Sequence, residues 1–274
     1  MRVLLRCPVR GCKERLQPAG RQWTCLRQHA FDQHRSGALN LLQPQDSRSR
    51  KPGDSKEASL ARRRLVGAGY ADAVHQAIGE VIRSRTGNGA ASLLDVGCGE
   101  GGFLGSLSGN LELERHGLDL SARSIELAAK AFQGVLFVVA NADRFLPYAD
   151  GSFDFVTSID ARPNADEFLR LLTPRGLVLI AVPSSDDLIE LRERIQGAGV
   201  IKSRTLRVLQ VLGKYFTLVD KTTVRRTHTF APSELRDLLT STYRGFRHSE
   251  RTAVASLTPM SVTLSHEILA FERP

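Results

Sequence analysis

Residues 93–102, Leu-Leu-Asp-Val-Gly-Cys-Gly-Glu-Gly-Gly, form an apolar strand that runs directly into a glycine turn. A run of this kind requires a sheet around the strand, and its alternate glycines let backbone approach a ligand where a Cβ would collide. Gly97, Gly99 and Gly102 satisfy G-x-G-x-x-G, the turn that seats a dinucleotide pyrophosphate on a helix N-terminus. Asp95 at the strand end favours a polar or cationic cofactor over a pyrophosphate. From this stretch alone both cofactor classes stay open.

From residue 91 onward the chain alternates between strand and helix. Strands at 91–96, 114–119, 134–140, 153–159 and 176–182 are separated by helices near 101–108, 122–132, 164–172 and 186–196, which predicts a parallel sheet. Asp119 ends the second strand 22 residues after Gly97, the spacing at which a carboxylate reaches ribose hydroxyls. Asn141 and Asp143 follow the third strand and Asp160 the fourth, so all of them gather at the carboxyl edge, where open α/β sheets bind ligands. Residues 197–229 break the rhythm; with seven Lys/Arg against Asp220 they read as a solvated basic face. A helix at 233–240 and a strand at 262–271 close the chain.

Charge is distributed unevenly. Residues 1–64 hold 15 Lys/Arg against 5 Asp/Glu, so the net charge of +9 resides there and the remainder is nearly neutral. A basic module on a neutral body suits a polyanionic partner, because Lys and Arg gain by releasing phosphate counterions. In that module Cys7 and Cys12 can meet on one turn, and Cys25 and His29 on a second, giving the donor set of a tetrahedral Zn2+ site with His34 as a substitute ligand. Residues 43–55 read as a polar surface connector; Asp54 or Ser55 can cap a helix reaching about Val66 that carries Arg62, Arg63 and Arg64, and a second helix spans 71–84. No apolar run reaches membrane-spanning length and residues 1–7 are too short for a secretory core, so a cytoplasmic protein without membrane contact is expected.

Several blocks point the same way together. Cys25-x-x-x-His29-x-Phe31-Asp32, Asn40-Leu41-Leu42, the run from Arg48 to Ser55, Ala61-Arg62-Arg63, Gly67-Ala68-Gly69 and Asp95-Val96-Gly97-Cys98-Gly99-Glu100-Gly101 together resemble the RlmA/TlrB family. Its members are bacterial 23S rRNA guanine-N1 methyltransferases, some of which confer resistance to macrolides such as tylosin. The last block by itself resembles motif I of class I S-adenosylmethionine-dependent methyltransferases. The resemblance implies a Rossmann-like α/β fold, a seven-stranded mostly parallel sheet with an antiparallel edge pair and a small N-terminal zinc module. The expected division is 1–36 as a zinc-binding RNA-recognition module, 37–84 as a basic connector with helices, and 85–274 as the methyltransferase domain.

Carried over residue by residue, Cys7, Cys12, Cys25 and His29 resemble the family's Zn2+ ligands. Gly99 and Glu100 resemble its cofactor loop, with Gly97 and Gly101 beside them among the expected cofactor residues, Asp119 its ribose carboxylate and Tyr70 an aromatic placed against the cofactor. Asp95, Asn141, Asp143 and Asp187 complete the expected cofactor surroundings, and Asp160 is the candidate acceptor of the guanine N1 proton. The implied partner is a 23S rRNA hairpin gripped by basic residues 48–64, with a homodimer as an open second partnership. The chain departs from the family pattern in having four residues between Cys7 and Cys12, a tyrosine one place early, Asp160-Ala161-Arg162-Pro163 after the fourth strand, and Asp187 where a histidine is common. A small-molecule methyltransferase would need no basic metal module, and an NAD-dependent oxidoreductase would need a proton-donor set that the sequence does not display.

Overall fold

Residues Ala91–Val96 are buried on both faces and form β5, near the middle of the main sheet. The computed structural model describes residues 3–45, 55–87, 89–107, 112–196, 203–242 and 257–273. On either side of β5 stand β6 (Leu113–Asp119) and β8 (Phe153–Ile159), followed outward by β7 (Val135–Val139) and β9 (Leu172–Pro183), all parallel. Beyond β9, β11 (Met260–Glu272) runs antiparallel to it, and the edge strand β10 (Thr217–Phe230), antiparallel to β11, returns to the direction of the parallel strands.

Alternation along the strands divides the apolar residues between two faces. Leu93, Leu179 and Ile268 pack with Val74, Ile78 and Ile82 of α2 (Asp72–Thr86), with Phe103 of α3 (Gly102–Ser106), and with Ile125 and Ala128 of α4 (Ala122–Ala131). Leu94, Val178 and Ile180 face Phe168 of α5 (Ala165–Leu171) and Val208 and Leu212 of α7 (Arg204–Leu212). A third apolar cluster joins α6 (Ile189–Gln196), α8 (Pro232–Thr242) and Leu65 of α1 (Lys56–Gly67).

The N-terminal segment folds into a three-stranded antiparallel sheet, β1 (Gln17–Ala19), β2 (Gln22–Thr24) and β3 (Ala30–Asp32). It is joined to the larger body by backbone and core alike. The Arg6 N–H donates to Pro147 O and the Ala149 N–H to Leu4 O, while Leu5 and Trp23 share one core with Tyr148. Six residues separate β3 from Leu39–Asn40, which form β4 and pair in parallel with β7.

That pairing makes the main sheet eight-stranded, one more than the seven that the family resemblance implies; the sequence itself located six of them, and β4 and β10 are the additions. The larger difference lies in 197–229, where the sequence suggests only a solvated basic face. Among the described residues it holds α7 and the 14-residue strand β10. β10 is exposed along nearly its whole length, so it shows no apolar alternation, and its regularity comes from an antiparallel register with β11 running from Thr217↔Glu272 to Phe230↔Met260. Ser55 caps α1, its side chain accepting from the Ala58 N–H at 3.1 Å, whereas residues 48–54 of the expected RNA-gripping connector lie outside the described residues. No described helix is long and apolar enough to cross a membrane.

Candidate functional site

Two tight turns bring the N-terminal donors together. The Cys12 N–H donates to Val9 O and the Gln28 N–H to Cys25 O, and the left-handed residues Gly11, Lys13 and Gln28 bend each turn back on itself. The ligand atoms of Cys7, Cys12, Cys25 and His29 consequently lie within 4.8 Å of one another. Cys12 and Cys25 Sγ are 3.8 Å apart, and His29 Nδ1 is 3.4 Å from Cys7 Sγ and 3.5 Å from Cys25 Sγ. A tetrahedral Zn2+ with bonds of about 2.3 Å to sulfur has ligand–ligand edges of about 3.8 Å, so the donor set and its spacing fit the ion. Burial pushes the Cys7 thiol up to about 12, and a cation among the sulfurs is what would keep such buried groups ionised. His34 instead bonds Ser36 at 2.8 Å and takes no part in the cluster.

At the carboxyl edge of the main sheet the glycine turn is shaped by both protein and cleft. Gly97 has φ +82°, and an added Cβ would stand 2.4 Å from Ala161 Cβ, so this glycine lets the loop after β8 close on the turn. Gly99 has φ +53°, and within 4 Å an added Cβ would meet just the Arg62 guanidinium, at 3.5 Å. Gly99 is therefore the position of the turn with open space before its backbone, unlike Gly97, whose space Ala161 fills. Asp119 holds that backbone: its Oδ2 accepts from the Gly99 N–H at 3.0 Å and its Oδ1 from the Ser121 N–H at 2.7 Å. Glu100 is buried, accepts from Ser124 Oγ and faces Arg62 at 3.5 Å; burial raises its carboxyl despite that cation. Asn141 Oδ1 accepts from the Asp143 N–H at 3.0 Å, which sets the turn after β7 and leaves Asp143 exposed.

Three expected cofactor residues bond to other parts of the protein. Asp95 is 2% exposed and accepts from Thr157 Oγ1 at 2.7 Å across the β5–β8 register, so its carboxylate lies beneath the turn; burial pushes it up to about 7. Asp187 is buried and accepts from the Ser265 N–H at 2.9 Å, pinning β11 to the loop after β9. Tyr70 packs against Phe230 and His228 and donates its hydroxyl to Glu234 at 2.9 Å.

Asp160 directly follows β8 in a left-handed conformation, φ +57°, and its side chain is half exposed. It meets His266 of β11: Nε2 is 3.2 and 3.3 Å from the two carboxylate oxygens. Sequence reasoning missed His266 altogether. The available signal was the polar run Ser265-His266-Glu267 interrupting an otherwise apolar strand. Of the three consecutive arginines, Arg62 turns to Glu100 and Ser241 O and Arg64 pairs with Asp237, while Arg63 is exposed and forms no ion pair among the described residues.

Residues 94–180 match the methyltransferase-domain family and residues 5–50 match the N-terminal zinc ribbon of RlmA. YxjB of Bacillus subtilis (strain 168), assigned to the 23S rRNA (guanine-N1)-methyltransferases, is 38% identical over 69% of this chain and 68% of its own length. The chain belongs to that family. The 23S rRNA (guanine(748)-N1)-methyltransferase of Streptomyces fradiae is 28% identical over 81% of this chain and 79% of its own. The YcgJ protein of Bacillus subtilis shares the fold, with a TM-score of 0.51 and 18% identity over 73% of this chain and 99% of its own. Family membership settles the cofactor that G-x-G-x-x-G left open in favour of S-adenosylmethionine, and assigns the N-terminal cluster to a zinc ribbon.

Proposed function

We propose that this protein methylates N1 of a guanine in 23S rRNA, with S-adenosylmethionine as donor and Zn2+ as a structural metal. One observation carries the reading: Asp160, a half-exposed carboxylate, stands at the strand end whose next residue packs on the glycine turn, so an acceptor pair suited to the N1–H and N2–H edge of guanine adjoins the donor's cradle. When bound, S-adenosylmethionine supplies the methyl group from a sulfonium. Gly97, Gly99, Glu100 and Gly101 form the cradle, with Asp119 addressing the ribose hydroxyls and Asn141 and Asp143 bordering the far side. Asp95 and Asp187 hold the cradle's supports in place, and Tyr70 closes the α1–α8 side. Cys7, Cys12, Cys25 and His29 hold the zinc.

The guanine enters unstacked, from a hairpin loop or by flipping, because N1 is otherwise occupied in pairing. Asp160 accepts the N1 proton, and most of the barrier reduction comes from holding N1 in line with the methyl group. The exposed Arg10, Arg21, Arg27 and Arg35 of the ribbon, with Arg63 and the basic residues of 48–54, grip the hairpin backbone. A homodimer would present two such ribbons to one RNA, a state that light scattering reads directly. The work is cytoplasmic, where the ribosome is assembled. Macrolide protection is read by expressing the protein in a susceptible host.

The deciding experiment is methyl transfer from labelled cofactor to 23S rRNA, mapped by the reverse-transcription stop that N1-methylguanine causes. A stop at a single guanine supports the proposal. Label appearing only on small molecules, or on an RNA atom that leaves reverse transcription unimpeded, overturns it.

A further inference from the structure

We propose that the proton taken from guanine N1 comes to rest on His266, relayed by Asp160, so that the two side chains act as one base; this rests on the guanine-N1 reading above. The geometry is that of a built pair. His266 lies opposite Pro183 in the β11–β9 register, and its imidazole reaches across β9 to the end of β8. Both Asp160 oxygens stand within 3.3 Å of its Nε2. The Asp160 backbone is fixed from two directions, by its N–H donating to Ala181 O at 3.0 Å and by Ala161 packed on Gly97. The His266 backbone is fixed as well, because the neighbouring Ser265 N–H donates to Asp187. The imidazole side chain is 17% exposed and the carboxylate 50%, so a substrate meets Asp160 and His266 acts through it.

A lone carboxylate is too weak a base to hold a proton taken from a weakly acidic ring nitrogen. For Asp160 burial works to raise the carboxyl, yet His266, with Arg204 and Arg62, holds it below its ordinary value. For His266 burial works to lower the imidazole, yet Asp160 and then Asp187 raise it against the opposition of Arg204. The pair therefore titrates as a unit whose accessible proton belongs to the imidazole. Besides Asp187, Arg204 and Arg62, His75 of α2 faces the pair and lies near Asp72; burial lowers His75 to about 4, so it is neutral at neutral pH and does not compete.

The proton and electron balance closes on these residues. The reactive form has Asp160 ionised and His266 neutral as the Nδ1–H tautomer, with Nε2 facing the carboxylate as an acceptor. The N1–H bond breaks, its proton passes to an Asp160 oxygen and on to Nε2, and the N1 electron pair forms the bond to the methyl carbon. The C–S electron pair stays on sulfur, S-adenosylhomocysteine leaves, and the imidazolium–carboxylate pair returns its proton to water between turnovers. His266 is thus a positioning residue and a proton store, while Asp160 is the catalytic contact.

The test uses the full chain and 23S rRNA. Single-turnover rates are measured against pH for wild type and His266→Asn, with S-adenosylmethionine affinity by calorimetry. The wild-type rate should fall on the acid side with an inflection above the ordinary histidine value of about 6.5. His266→Asn should lose that limb and slow by roughly 100-fold at neutral pH while binding the cofactor unchanged. An acid limb retained in His266→Asn, or a rate loss matched by an equal loss of cofactor affinity, overturns the proposal. A second measurement does not need activity: in NMR titrations of the histidine ring protons, Asp160→Asn should bring the His266 midpoint down, and an unmoved midpoint overturns the coupling. Wild type that makes no N1-methylguanine defeats the parent reading, an outcome distinct from wild type that makes it with a His266-independent profile.

Discussion

Arg62 Nη1 stands 3.5 Å from Glu100 Oε1, and this contact ties α1 to the glycine turn. Its other terminal nitrogen donates to Ser241 O at the end of α8, so one guanidinium joins two helices to the glycine turn. Arg62 and Arg63, adjacent in sequence, should therefore fail differently. Arg62→Ala should weaken S-adenosylmethionine binding on the order of tenfold, about 1.4 kcal/mol, with RNA affinity little changed. Arg63→Ala should leave cofactor binding alone and reduce the log–log salt slope of RNA binding by roughly 0.7 to 0.9, the contribution of one phosphate contact. Calorimetry with the cofactor and filter binding across a salt series separate the two.

Two glycines of the turn should also part company. Gly97→Ala places a Cβ 2.4 Å from Ala161 Cβ at a backbone of φ +82°. A left-handed backbone costs about 1–2 kcal/mol for an L-residue and overpacking about 1–3 more, so this variant should lose stability in denaturant melts. Gly99→Ala has a similar backbone cost but an opening in front of it, with Arg62 the nearest atom at 3.5 Å. It should stay folded better than Gly97→Ala and lose more cofactor affinity relative to its loss of stability. A stability loss in Gly99→Ala as large as that in Gly97→Ala would show that Gly99 serves packing as well.

Much of this was legible in the sequence, for reasons that are local. The parallel strands carry their own apolar runs, the glycine turn has its own spacing, and the four metal donors sit in two short turns, so each feature announces itself within a few residues. The remainder depends on partners far along the chain. β10 is exposed and patternless, and becomes a strand by pairing with β11 some forty residues later. His266 acquires its meaning from a carboxylate 106 residues away. Arg62 reads as one of three surface cations until the fold puts Glu100 beside it. The glycines of the turn read in the sequence as making room for a ligand, but Gly97 makes room for Ala161, and Gly99 is the one with open space before it.

Metal removal offers a test of how the ribbon is anchored. Leu5 and Trp23 share a core with Tyr148, and Leu5 bridges to Tyr148 in the backbone, so loss of the ion should loosen that joint as well as the ribbon. Chelation should lower the melting temperature and expose Cys7, Cys12 and Cys25 to a thiol reagent. Cys98, buried within the glycine turn with its thiol pushed well up by burial, should react only on global unfolding. Thiol counting with and without chelator checks this, and a fourth thiol reacting together with the other three would mean that the methyltransferase body unfolds with its ribbon.

Asp95 gives the chain a pH signature whose sign follows from its surroundings. Burial, with Asp119 adding to it against the Thr157 hydrogen bond, lifts its carboxyl from 3.8 to about 7 in the folded state. A folded value above the unfolded one means the native state binds the proton more tightly, so the associated stability is complete below about pH 4 and is lost as pH rises through about 7. Asp95→Asn keeps an acceptor for Thr157 and removes the ionisation. Relative to wild type the variant should therefore gain stability steadily between about pH 4 and pH 7 and hold a constant advantage above, on the order of a few kcal/mol. Urea melts of both proteins across that range measure the difference, and a gap that does not change with pH would mean that Asp95 is ionised throughout, held by a cation that faces it in solution.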